Sequence, residues 1–184
     1  MAWRQARDLA AIHATGGEVD PGNLHSRWAP LIRFEPGAVI SGYWPMRSEV
    51  DVRPLMARLR EEGGRLCLPA ILDRNTMVFR ELVRGAELVE MGFGTCGPGP
   101  QALLLDPSLM LVPLAAFDAR GHRIGYGGGY YDRAIERLHA SGRRPRLIGV
   151  AFDCQEVGEV PDEPHDVIIP EILTETGLRR VGVA

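Results

Sequence analysis

The stretch that most narrows the fold is residues 37–72. GAVISGYW (37–44) is a short apolar run opened by glycine and reads as a buried strand. DVRPLMARLREEGG (51–64) reads as a helix, with Asp51 as N-cap, Leu55, Met56 and Leu59 along one side, and Gly63 as the stop. RLCLPAIL (65–72) is a second strand. A strand–helix–strand unit of this length crosses over to make parallel sheet. The same alternation continues along the chain. TMVFREL (76–82) is a strand, LMLVPLAAF (109–117) has the continuous apolar character of a central strand, and RLIGVAF (146–152) is another buried one. VIIPEILTE (167–175) and LRRVGV (178–183) add short strands. Residues 92–108 hold too much glycine and proline for regular structure and read as a loop. A helix is expected at about 130–140, where Tyr131, Ile135 and Leu138 recur at i, i+4 and i+7. The expected fold is α/β with a mostly parallel central sheet, as a single domain over residues 1–184.

Composition removes several classes of function. A net charge of −3 carries no polycationic signal, so nucleic acid is not the expected partner. No apolar run reaches the roughly 18 residues of a membrane span, and the amino terminus lacks the apolar core of a signal peptide. Cys67, Cys96 and Cys154 are odd in number and widely spaced, as in a reduced, cytoplasmic protein. All 21 basic residues are arginine, which leaves no lysine to serve as a catalyst.

RIGYGGGYYDRAI (123–135) carries the chemistry. Gly125, Gly127, Gly128 and Gly129 let backbone amides approach and converge on an anion, since no Cβ intervenes. The following helix offers unpaired N–H groups and the positive end of its dipole, and Arg123 can clamp phosphate oxygens with its planar fork. Asp132 repels phosphate by itself, but a Mg²⁺ between the two turns repulsion into a bridge. A plain turn, with Asp132 as an ordinary first-turn acid, stays open on the residues alone. Neither a Walker loop nor a dinucleotide fingerprint is present, because no Gly-Lys-Ser/Thr follows and Tyr130 holds the third glycine's place.

VPLAAFDARGHRIGYGGGYYDRA closely resembles the signature of the 5-formyltetrahydrofolate cyclo-ligase family. GYWPMRSEVDVRPLM, LPAI…MVFREL…GFGT and VAFDCQEVGEVPDEPHDVIIPEILTE resemble its early, middle and closing segments, in the right order. The resemblance implies a three-layer α/β/α sandwich of the CoA-transferase-like type. It implies ATP-driven cyclisation of 5-formyltetrahydrofolate to 5,10-methenyltetrahydrofolate, with Mg²⁺, by a monomer acting on small molecules away from any membrane. By position, Arg123, Gly125, Tyr126, Gly127, Gly128, Gly129, Tyr130 and Tyr131 would contact the ATP phosphates and adjoining substrate, with Arg7 reaching them from the amino terminus. Arg123, Tyr131 and Asp132 would be catalytic, Asp132 and Asp166 would serve the metal, and Glu49 would bind the folate. Trp44 and Tyr43 would either wall the ring or pack the core, and His165 would either orient the acidic loop or cap it. Two departures stand out. The start is lysine-free, leaving Arg4 and Arg7, and Gly97 stands where the family has glutamate. They keep open a second reading, a divergent member that binds folate or nucleotide without turnover.

Overall fold

The computed structural model describes residues 26–91, 94–163 and 166–182. After a 3-10 helix at Ser26–Leu31, the elements are β1 Val39–Ser41, α1 Arg53–Glu61, β2 Arg65–Ile71, β3 Met77–Glu81, β4 Leu88–Glu90, β5 Cys96–Pro98, β6 Leu109–Pro113, β7 Ala116–Phe117, β8 Arg123–Ile124, α2 Tyr130–Ala140, β9 Arg146–Val150, β10 Glu171–Thr174 and β11 Gly177–Arg180, with a further 3-10 turn at Asp153–Gln155. The main sheet runs β11-β10-β9-β6-β1-β2-β3. Its five inner strands are parallel, and β11 and β3 close the two edges antiparallel.

The inner strands are apolar throughout because each sheet face is covered. Along β6, Leu109 and Leu111 enter one core with Ile40, Leu66 and the α1 residues Leu55, Met56 and Leu59. Met110 and Val112 enter the other, with Phe79, Leu147 and the α2 residues Ala134, Ile135 and Leu138. This is the expected α/β arrangement, with helix on both faces of a mostly parallel sheet. No helix among the described residues is long and apolar enough to cross a membrane.

Three local expectations change. Asp51 is not the N-cap of α1; Val52 is, with proline in the first turn. The Asp51 carboxylate, one residue before that N-cap, instead accepts the Arg53 amide and pairs with its guanidinium. The run 109–117 is not one strand. Its ladder ends at Pro113 because the buried Gln155 side chain donates to the Leu114 and Ala115 carbonyls (2.9 and 3.0 Å), and the Ala115 amide turns to Ile124. Ala116–Phe117 then pairs with Arg123–Ile124 as a separate hairpin. Finally, the glycine- and proline-rich 92–108 stretch contains β5, paired with β4 and held by Arg80 through the Pro98 carbonyl. Composition argues against a ladder there, and tertiary pairing overrides it.

The β7–β8 turn is built on Asp118, which is fully buried. Its Oδ1 accepts the Arg120 and His122 amides, and its Oδ2 accepts the Val160 amide and the Arg120 guanidinium. Burial alone would push this carboxyl up, but those donors outweigh it and hold it below the ordinary carboxylate range. Gly121 completes the turn at φ 87°, and a Cβ there would lie 2.7 Å from the Ile169 carbonyl oxygen. Gly121→Ala is therefore expected to cost about 2–3 kcal/mol, whereas Gly37→Ala, also at positive φ but in open space, costs about 1 kcal/mol. Urea unfolding of the two variants measures the difference.

Candidate functional site

The sheet order places the site. From β1 the chain crosses through α1 to β2 on one side, and from β6 it crosses through α2 to β9 on the other. Since β1 and β6 are hydrogen-bonded neighbours, their outgoing connections diverge to opposite faces at the carboxyl ends of the strands, the geometry that opens a crevice in open parallel sheets. Ligands of open parallel sheets bind at such a switch point. The loop after β1 carries Tyr43, Trp44 and Glu49, and the segment after β6 carries the glycine loop.

The β1 loop is tightly closed. The Tyr43 hydroxyl donates to the Val50 carbonyl at 3.1 Å, and the Met46 amide donates to Glu49 Oε2 at 2.6 Å. Arg47 sits in the left-handed region at φ 52°, a cost that the surrounding bonds must carry. Tyr43 is buried in the core, which is the packing alternative for that ring. Trp44 is half-buried against the same core, with the Arg53 guanidinium 5.1 Å from its ring centroid.

The glycine loop is pinned from behind. Arg133 donates to the Gly128 carbonyl at 2.7 Å and to the Asn75 carbonyl at 3.1 Å, and lies over the Tyr130 ring. Asp73 accepts the Asn75 and Thr76 amides, so the turn that receives Arg133 is itself fixed. Gly129 is the N-cap of α2 in the left-handed region (φ 60°), and no side chain caps the helix. A helix start without a side-chain cap offers first-turn N–H groups and the positive end of the dipole to an anion. Gly125 and Gly127 are exposed, and a Cβ on either would meet nothing within 4 Å.

Arg123 and Asp132 are brought together. Both terminal nitrogens of the Arg123 guanidinium reach Asp132 Oδ1, at 3.1 and 3.0 Å, and the arginine side chain is only 6% exposed. The Val167 amide donates to the same oxygen at 3.2 Å. All three donors fall on Oδ1, and the closing segment is thereby tied to the first turn of α2. Asp166, one residue earlier, accepts the Glu163 amide through its own carboxylate at 2.8 Å. Among the described residues, no three His, Cys, Asp or Glu side chains cluster as a ready-made metal site. Arg7 and His165 lie outside the described residues.

Glu49 and the glycine loop share one electrostatic environment. Burial, and next the charge of Glu49, push the Tyr131 hydroxyl well above the ordinary tyrosine range, and the same two causes act on Tyr43. Both tyrosines are therefore neutral at physiological pH. Tyr126, 41% exposed, belongs to the same group. Reading the chain alone missed Asp118 and Arg133, which position the loop. An aspartate directly after an apolar run, with glycine three residues on, is the turn signal that points to the first. Nothing local points to Arg133, whose partners at 74 and 75 are distant in sequence.

The chain is similar to known proteins in both sequence and fold. Residues 4–175 match the model of the 5-formyltetrahydrofolate cyclo-ligase family. A 5-formyltetrahydrofolate cyclo-ligase of Mycolicibacterium smegmatis is 33% identical over 146 residues, covering 75% of this chain and 74% of that protein. One from Escherichia coli is 31% identical over 132 residues, covering 68% and 71%. In fold, the chain is similar to the solved 5,10-methenyltetrahydrofolate synthetase of Aquifex aeolicus, with a TM-score of 0.73 at 24% identity, covering 100% of this chain and 95% of that one.

The Tyr131 hydroxyl is buried and has no hydrogen-bond partner among the described residues. Removing such a group does not weaken the fold, since its desolvation is uncompensated. Tyr131→Phe is expected to leave stability unchanged or raise it by up to about 1 kcal/mol. Thermal denaturation of the ligand-free protein measures this.

Proposed function

The chain belongs to the 5-formyltetrahydrofolate cyclo-ligase family, and on that premise we propose that the crevice between β1 and β6 holds ATP on the glycine loop with 5-formyltetrahydrofolate against Glu49. The reaction is the ATP-dependent cyclisation of 5-formyltetrahydrofolate to 5,10-methenyltetrahydrofolate, with release of ADP and phosphate. The observation that carries the placement is Gly125. It has no positive φ and no neighbour that a Cβ would strike, so the fold gives no reason for glycine there. A phosphate drawn close to the backbone gives one.

The formyl oxygen attacks the γ-phosphorus, ADP leaves, and the formyl carbon becomes an activated phosphate ester. The N10 amine adds to that carbon and phosphate departs, closing the ring. Such chemistry depends on alignment and charge neutralisation, with no protein nucleophile. The amides of the 125–129 loop and the start of α2 hold the phosphates. The Glu49 carboxylate orients the folate through ring N–H and amino donors. Arg123 holds Asp132 in place, and neutral Tyr131, close enough to feel the charges of Glu49 and Arg123, adds none of its own.

The residues present suit Mg²⁺. This ion usually takes one or two carboxylates plus substrate phosphate and keeps several waters, so a preformed cage is not required. Asp132 retains its Oδ2 lone pairs, and Asp166 adjoins the amide that binds Oδ1. When bound, the ion supplies neutralisation of phosphate charge.

Purified protein given 5-formyltetrahydrofolate, ATP and Mg²⁺ is expected to produce the methenyl absorbance, and a reaction without ATP is not. Folate binding without product would instead identify a non-catalytic member, in line with Gly97. Gly125→Ala is expected to keep the melting temperature within about 2 °C. It should raise KM for ATP about tenfold, the scale of one hydrogen bond lost to a charged group. Normal KM would remove the loop from the phosphate site.

A further inference from the structure

Arg120 lies outside the glycine loop, yet its guanidinium joins two segments that meet at Asp132. Its Nε and Nη2 donate to Asp118 Oδ2 at 3.0 and 2.8 Å, and Nη2 also reaches the Val160 carbonyl at 2.8 Å. Asp162 lies 3.3 Å and Glu159 3.7 Å from the same side chain. The Val160 amide goes to Asp118, so this one residue has both backbone groups held by the Asp118–Arg120 pair. Beyond it, the Glu163 and Asp166 backbones bond each other, the Val167 amide binds Asp132, and the Ile169 amide returns to the Gly121 carbonyl. The closing segment is thus anchored at residues 160 and 169 to the turn that delivers Arg123, and it touches the first turn of α2 between those anchors.

We infer that Arg120 is a positioning residue, which sets the 166–167 backbone on Asp132 by holding the acidic 159–162 stretch to the β7–β8 turn. The inference rests on the reading of Asp132 as part of the phosphate and metal site. The physical basis is charge. Asp118, Glu159 and Asp162 all face this one guanidinium, with His122 Nε2 4.0 Å from Asp162 as the only other basic group near them among the described residues. Without the guanidinium, these carboxylates repel and the Val160 carbonyl loses its donor, which leaves the anchor at 160 to the single Val160 amide–Asp118 bond. Arg120 is itself 45% exposed, so removing it empties no core. Surface ion pairs are individually weak, so the effect belongs in the placement of the segment more than in global stability.

The test uses the full chain with Arg120→Gln and Arg120→Lys, the second keeping the charge but losing the fork. In ligand-free protein, amide exchange at Asp166 and Val167 is expected to quicken about tenfold in Arg120→Gln and about threefold in Arg120→Lys, whose charge still neutralises the carboxylates, while Ile148 in β9 and Ile135 in α2 keep their protection. In turnover, kcat/KM for ATP is expected to fall about fivefold with KM for 5-formyltetrahydrofolate unchanged. Unchanged exchange at Val167, or equal acceleration at all four amides, overturns the positioning role. If the glutamine variant does not fold, the lysine variant decides by the same amides. A wild type without product overturns the functional reading, and the exchange rates still decide the positioning of the segment.

Discussion

The hydrogen bonding of β1 to β6 is the pairing on which the rest of the structure depends. Ile40 stands beside Leu109 and Ser41 beside Met110 in parallel register. Because each strand then crosses over to its own side of the sheet, α1 and α2 cover opposite faces and the two outgoing loops part at the strand ends. Right-handed crossovers allow no other placement. The parting of the loops is a consequence of chain topology, and Glu49 and the glycine loop lie on those two segments.

Around these segments, rigidity comes from charges that cannot stay unpaired away from water. Asp118 is fully buried and satisfied by backbone amides and one guanidinium; Arg123, almost as deep, is satisfied by Asp132. Buried ions are stable only with such complete partnering. Each pair therefore fixes the backbone that supplies its donors: the β7–β8 turn and Val160 for Asp118, the start of α2 and Val167 for Asp132. The glycine loop hangs between these two fixed points, with Arg133 bracing Gly128 from behind. A segment rich in glycine pays heavily in entropy when ordered, and fixed ends on both sides reduce what a ligand must still order.

The Arg123–Asp132 pair also alters how the motif is understood. An arginine ahead of a glycine loop reads naturally as a phosphate clamp. In the folded chain its fork is turned to the aspartate, and the start of α2 carries no side-chain cap. Glu49, on the other wall, lies close enough to raise the Tyr131 hydroxyl's affinity for its proton. The two sides of the crevice are thus electrostatically aware of each other before any ligand arrives, as expected where charges share a low-dielectric space.

The sequence by itself determined the alternation of strands and helices, the helix at 130–140 and the glycine loop, because each is written in local periodicity or in residues with special backbone freedom. It also carried the family likeness. Tertiary structure alone decided the end of β6, where Gln155 captures two carbonyls from 40 residues away, and the β4–β5 ladder in a stretch whose composition argues for a loop. It decided that Arg123 binds Asp132, and that Arg133 and Asp118 hold the loop's surroundings. These are contacts between residues far apart in the chain, and no local pattern encodes which distant donor will satisfy a buried acceptor. Periodicity fixes which face of an element is buried; only packing fixes what it meets there.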